Sequence, residues 1–544
     1  MGKNQEDECM SVKRFAIVFL SVSVLIGGVY TTGCHHRPSQ PPSNEMRLFL
    51  SVEPISLDPR VGGDARSQVI IRELFEGLTR FGRSGEPEFA IAESVDISED
   101  RTTYTFHLRS SKWSNGADLT AMDFEWAWKS VIRSPLITKY AYAFFVIENA
   151  QKASKNECSI DDVGITSLDE HTLQVTLAHP APYFLQWTAN PVYSPVFGPI
   201  AKNSTEWASE VFPKYVSNGP FVVKSHQLGS SLVLEKNPYY WNPDAAKCDR
   251  LRFSIIQDDI TAYNMFRKGE LDWYGFPCAP KIPTEIISVL EREGSLHTVQ
   301  SGLTLRIDCC VTKPHVASPK IRKAIAEAIN RKEITSHLFI GGDTPAHSII
   351  PSCLSLLPSP PFEDGNVEHA KQLFAEGLAE LGVTKEDYPP LVFTTDPRLK
   401  SLAEVVSQQV HAALGITVQT EVVEIKTLFQ KVASNQVEMA ILGWVLWIQD
   451  PGDNLEAFKY KDNRLVGTDW ENTQYIQLLN AANSAKDVET RLQFLTDAEM
   501  LFMKEIPAIP LINMVDKYTK APDVEGECFS NIGIPELKWL ERKS

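Results

Sequence analysis

From residue 103 to residue 131 the chain changes its hydrophobic period twice. Tyr104, Phe106 and Leu108 alternate with Thr105, His107 and Arg109, the two-residue period of a strand with one buried face. Ser114-Asn115-Gly116 then marks a turn, because Asn and Gly tolerate positive φ. Beyond it Phe124, Ala127, Trp128 and Val131 fall at i, i+3, i+4 and i+7, one apolar face of a helix, with Thr120 and Asp123 as its capping box. The pattern assigns these aromatics to a hairpin-and-helix core rather than to a ligand platform.

The same periods organise the rest. MRLFLSVEPISLDPR (46–60) predicts a strand and a turn, SQVIIRELFEGLTRF (67–81) a helix, and residues 171–177 another strand. Residues 180–220, rich in Pro and aromatics, predict packed irregular connections. SLVLEKN (231–237) and LRFSIIQD (251–258) predict strands, and TAYNMFRKGELDWYG a helix ending near Gly275. Near residue 300 the character changes. Ser318 is a plausible N-cap with Pro319 at N1, ahead of an apolar face of Ile321, Ala324, Ile325, Ala328 and Ile329. A second amphipathic helix, 367–383, ends at Gly382. LVFTTD (391–396), the helix through SLAEVVSQQVHAALG, and ITVQTEVV (416–423) then alternate strand, helix, strand, and MAILGWVLW (439–447) suits a buried strand. This alternation predicts a second α/β lobe from about 300 to 509. No internal repeat stands out.

A chain of 544 residues is expected to hold two or more domains. Its net charge of −16 removes the broad electrostatic case for nucleic acid or an anionic lipid surface. At the N-terminus Lys13-Arg14 precede sixteen uncharged residues, Phe15 to Tyr30, and then Thr31-Thr32-Gly33-Cys34. A basic region, a short apolar run and small residues make a secretory signal peptide over residues 1–33, too short for a spanning helix. Small residues before a Cys resemble the bacterial lipobox, which predicts lipidation of Cys34 and residues 34–45 as a Pro-rich tether to a membrane. Thr31 departs from the usual Leu of that motif, and an uncleaved anchor is the alternative. The acidic stretch before Met10 is unlike a signal peptide's basic region, leaving Met1 and Met10 as alternative starts.

Seven cysteines follow the leader, with no C-x-x-C and no zinc spacing. Export permits disulfides but the connectivity is not legible, and the odd number leaves one thiol over within a chain. Cys309-Cys310 is read as strand packing. No G-x-x-x-x-G-K-[ST], H-E-x-x-H or G-x-S-x-G occurs, so no catalytic residue, metal or cofactor is assigned. His35-His36 belong to the tether, and the acidic pairs Asp161-Asp162 and Asp258-Asp259 are placed in solvated loops.

LFEGLTRF, the block from 103 to 131, SNGPF, KNPYYWN, PKIRKAIAEAINRKEI, AKQLFAEGL and the LGI…GW run, taken in order from about residue 46 to 535, resemble the extracytoplasmic solute-binding proteins of ABC importers for peptides and nickel. The resemblance implies an α/β, bilobal, periplasmic-binding-protein-like fold (type II, large peptide-binding subclass) with a two-strand hinge. Lobe I would be 46–298 plus 510–544, with an extra subdomain at about 66–189, and lobe II 299–509. It implies hinge closure over a ligand between the lobes, a monomer, no enzyme activity, and docking on permease subunits. Peptides of varied sequence share only a backbone, so they are bound by strand addition with roomy side-chain pockets. Carried over, the contacts are Val61 to Ala65 (including Gly63 and Asp64), Tyr140, Asn218, Gly219, and Gly443 to Trp447 (including Trp444 and Val445). Each of these has a purely structural alternative.

One position departs from the pattern. Peptide binders of the family carry an acidic residue three places after that Trp, pairing with the peptide's amino group, and here the place is Trp447. Asp450 or Asp453 would have to supply the charge, since a buried ammonium without a carboxylate is costly. Murein-type peptides, dipeptides, nickel or haem are alternative ligands. A secreted hydrolase would need an activated nucleophile or spaced carboxylates, and an adhesion or chaperone-like role an exposed apolar patch.

Overall fold

The computed structural model describes residues 44–543 apart from 62–63, 134–140, 203–206, 209–214, 280 and 462–465. The leader, Cys34, most of the tether, Gly63 and Tyr140 lie outside the described residues. Strand β1 (Glu45–Leu50) pairs in parallel with Arg250–Ile255, and Ser231–Lys236 and Phe221–Gln227 extend that sheet antiparallel. A separate antiparallel sheet joins Ala92–Ile97, Thr103–Leu108, Thr172–Thr176 and Ile165–Asp169. In Thr103–Leu108, Tyr104, Phe106 and Leu108 point inward, as their alternation predicts. Helix Ala121–Arg133 buries Phe124, Ala127, Trp128 and Val131. The Asp123 carboxylate accepts from the Thr120 N–H at 3.0 Å, one half of the capping box, and Gly116 takes φ +86° in the turn between.

A third sheet runs in the order Trp273–Gly275, β4 (Ala508–Lys520), β2 (His297–Cys309), β3 (Met439–Val445), Leu391–Thr395 and Val418–Val422. The buried apolar residues form two large cores and a small third cluster of Leu428, Val432, Val437, Ala440 and Leu442. One gathers Met46 to Leu290 with Ile448, Tyr518, Val524, Leu537 and Leu540. The other gathers Leu305 to Ile512, including the whole predicted face of Ile321, Ala324, Ile325, Ala328 and Ile329. The 13-residue strands β2 and β4 are the longest in the structure, and β4 contributes residues to both cores. Ser318 caps Pro319–Ala328 by accepting from the Lys320 N–H, and Gly382 closes Val367–Leu381.

Two helices are shorter than their periods predict. Helix α1 (Ala65–Leu74) stops before Phe75, which is extended at φ −129° and ψ 154°, and Thr79–Phe81 is a strand. Gly77 there lies so close to the Thr188 carbonyl that a Cβ would clash. The helix expected to reach Gly275 ends at Arg267, and Trp273–Gly275 pairs instead with Tyr518–Lys520. A partner that far along the chain leaves no local signature. Asp258 is not a loop residue but the N-cap of that helix, accepting from the Thr261 N–H at 2.7 Å. All seven cysteines after the leader are free thiols, and Cys309 and Cys310 are buried at the end of β2.

Candidate functional site

Strand β3 begins as a buried apolar run because it lies between β2 and Leu391–Thr395. The second pairing covers only Met439 and Ala440, whereas β2 accompanies β3 as far as Val445. The Ile441 carbonyl still accepts from the Thr395 hydroxyl at 2.9 Å, so it is from Leu442 to Val445 that one edge of β3 carries no neighbouring strand. Val445, at its tip, is 57% exposed.

After Val445 the chain leaves the sheet and meets the first core. Ile448 is buried there, and the Trp447 ring packs edge-on to Tyr142 with centroids 6.2 Å apart. Gln449 uses every polar group it has. Its N–H donates to Gln186 Oε1 at 2.6 Å, and its carbonyl accepts from Gln186 Nε2 at 3.4 Å. Its side chain donates to the Gly85 carbonyl and accepts from the Asn531 N–H at 3.0 Å. Nothing in the sequence singled out Gln449, because three of its partner segments lie far away in the chain.

Asp450 caps the short helix α2 (Pro451–Glu456), accepting from the Gly452 N–H at 2.8 Å. Both its oxygens accept from Arg491, each at 2.8 Å, and both side chains are buried. The Tyr183 ring covers that guanidinium at 5.4 Å. The Asp450 charge is thus spent inside the fold rather than presented to a ligand. Asp453 differs. It is half-buried, and the Trp447 N–H, at 3.1 Å, is its hydrogen-bond donor. Burial pushes its carboxyl up to about 7, opposed by that N–H and reinforced by the charges of Asp450 and Glu456.

Trp444 lies over Arg306 at 4.9 Å, with Phe458 against the same guanidinium at 4.8 Å. Arg306 is fully buried and bonds Asp308 at 2.7 Å and Asn454 at 3.2 Å. Trp444 therefore anchors the edge next to its tip at Val445.

The other expected contacts lie elsewhere. The Asp64 carboxylate caps α1, accepting from the Arg66 and Ser67 N–H groups at 3.1 Å, and Ala65 opens that helix. Asn218, only 2% exposed, accepts from the Glu76 N–H at 3.2 Å and donates to the Glu76 carbonyl at 2.9 Å. Gly219 donates to the Leu74 carbonyl at 2.8 Å, and a Cβ there would sit 2.5 Å from the Leu74 carbonyl carbon. Asn218-Gly219 is a buried clamp on the end of α1. The structure brings together Trp447 and Asp453 of the expected set and adds Tyr142. Among the described residues no three His, Cys, Asp or Glu side chains converge as metal ligands.

Residues 86–465 match the family described as bacterial extracellular solute-binding proteins, family 5 middle. The oligopeptide-binding protein OppA of Bacillus subtilis (strain 168) is 32% identical over 536 residues, covering 96% of this chain and 98% of that protein. The dipeptide-binding protein DppE of the same organism is 31% identical over 512 residues, with 92% of each chain covered. The solved structure of Burkholderia pseudomallei OppA superposes with a TM-score of 0.78 at 25% identity, over 93% of this chain and 100% of that one.

Proposed function

Because the chain belongs to the family 5 bacterial extracellular solute-binding proteins, with their bilobal α/β fold, we propose that it captures oligopeptides between its lobes and delivers them to a membrane permease for import. The observation that carries this reading is the edge of β3 from Leu442 to Val445, which pairs with no further strand, beside the Trp447–Tyr142 wall. A peptide adds there as a strand, held by main-chain hydrogen bonds common to every sequence. Its amino group meets Asp453, the half-buried carboxyl left over once Asp450 has gone to Arg491.

Lobe I takes residues 46–298 and 510–544, and lobe II 299–509, an assignment supported by the two main cores except at Leu511 and Ile512, which lie in the second core, and Ile448, which lies in the first. The crossings at the start of β2 and along β4 form the hinge. The receptor acts as a monomer, exported and held to a membrane through lipid on Cys34.

Ligand released by denaturing the purified protein and analysed by mass spectrometry is expected to consist of peptides with free amino termini. Release of haem, nickel or no peptide at all would overturn the reading. For the anchor, metabolic labelling with a fatty acid is expected to mark the wild type and to leave Cys34→Ser unmarked. Label that persists in Cys34→Ser removes the lipoprotein assignment without touching the ligand.

A further inference from the structure

Between Gln300 and Thr304 strand β2 slips against β4. Gln300 opposes Val515 and Thr304 opposes Asn513, so three residues of β2 face one of β4. A bulge of this kind frees backbone groups from the ladder and re-aims them. Gly302, at its centre, turns both of its own elsewhere. Its N–H donates to the Ile532 carbonyl at 3.0 Å, and its carbonyl accepts from the Leu446 N–H at 2.9 Å. All three residues are buried, so losing either bond would strand polar backbone away from water. Glycine serves here for room rather than for conformation. A Cβ on Gly302 would lie 3.2 Å from the Ile532 Cβ and 3.3 Å from the Leu446 Cβ, closer than such atoms ordinarily pack.

The segment on the far side of Gly302 is stiff. The Ser530 N–H donates to the Ile534 carbonyl at 2.9 Å, and the Glu536 N–H to the Cys528 carbonyl at 3.0 Å. The Ser530 hydroxyl accepts from the Ile534 N–H at 3.1 Å, closing residues 528–536 into a hairpin. Phe529 roots it in the first core, against Tyr518, Phe276 and Trp273 at centroid distances of 5.5, 6.1 and 6.4 Å. Gly533, at φ +80°, runs so near β2 that a Cβ would sit 2.5 Å from the Gln300 carbonyl oxygen. The Asn531 N–H reaches Gln449 at 3.0 Å. The hairpin thus holds the chain beyond β3 at two places, Leu446 through Gly302 and Gln449 directly, with Trp447 between them.

We infer that Gly302 is a positioning residue for ligand capture: by joining Ile532 to Leu446 it lets the C-terminal hairpin set Val445 and Trp447 against the first core. The role rests on the reading of this stretch as the peptide site. Gly302 is buried behind the edge and acts through Leu446.

The test titrates the full-length protein with tri-alanine and penta-alanine by calorimetry, and follows amide exchange without ligand by mass spectrometry. In Gly302→Ala the amides of residues 443–449 are expected to exchange at least tenfold faster, while those of 305–309 in the same sheet keep the wild-type rate. Affinity is expected to fall at least tenfold alongside. Gly198→Ala, whose Cβ would meet the Lys202 side chain first, is expected to match the wild type in both readouts. If Gly302→Ala does not fold, Gln449→Leu, which cuts the other link and leaves Gly302 in place, is expected to show the same paired change. Unchanged exchange at 443–449, faster exchange spread evenly over the sheet, or wild-type affinity despite a loosened 443–449 each overturns the inference. A wild type that binds neither peptide overturns the peptide reading itself, and the positioning role with it.

Discussion

Asp453→Asn is expected to weaken binding of a peptide with a free amino terminus by about one to two powers of ten. A hydrogen bond to a charged partner contributes roughly 1.5–3 kcal/mol, and about 1.4 kcal/mol is a factor of ten in Kd. The same peptide acetylated at its N-terminus should bind the wild type poorly and lose little more on substitution, so calorimetry on two proteins and two peptides isolates the contact. The dependence on pH has a definite sign. Unliganded, the Asp453 carboxyl sits at about 7 because of burial. A ligand ammonium stabilises the carboxylate, so below that value binding must first expel a proton, and affinity falls as the medium is acidified. Between pH 7 and pH 5.5 the loss should approach one power of ten per unit, and it should vanish in Asp453→Asn. Equal affinity for the free and acetylated peptides in the wild type would show that the amino group is not read, and Trp447 would then be an apolar wall for another part of the ligand. Folding responds in the opposite direction: a carboxyl raised in the folded state favours folding below its unfolded value, and that contribution is lost as pH rises from about 4 to 7.

Arg491→Leu is expected to destabilise the protein by about 3–5 kcal/mol, measured by urea unfolding, because it leaves the Asp450 carboxylate buried and unpaired. Adding Asp450→Asn should recover most of that loss, since Asn removes the charge and still caps α2. Peptide affinity in the double variant should stay within a few fold of wild type. If Arg491→Leu is nearly neutral, solvent reaches Asp450 and the carboxylate is free after all to compete with Asp453 for the ligand.

What the sequence made legible was local. The alternation in 103–108, the apolar face of 121–133 and the Ser318 cap depend on neighbours within one or two turns, and each stands where its pattern put it. The errors were of the opposite kind. Residues 75–81 keep a helical spacing of apolar groups, but Asn218 seizes the backbone of Glu76 from 142 residues away and the helix ends. Trp273–Gly275 exchanges its helical pattern for a strand because β4 offers a free edge. The site followed the same rule. That Trp447 left the amino group without its usual acid could be read from one motif. That Asp450 was already taken could not, because Arg491 lies 41 residues further on, in a different helix. Asp453 emerges only by subtraction, once Asp450 has been traced to Arg491.

Gln449 grips the first core through an amide, not an ion, and that choice bears on how a receptor lets go. Under the proposed closure of two lobes, each hydrogen bond it makes to Gln186, Gly85 and Asn531 would be exchanged for one to water on opening, so each would favour closure by only about 0.5–1.5 kcal/mol net. A buried ion pair in its place would have to be rehydrated as charges, making the empty cleft hard to open or hard to shut. A neutral clasp keeps the two shapes nearly level in free energy. In the proposed peptide receptor the weight that tips them would then be left to the peptide, making the cargo the timekeeper of its own release.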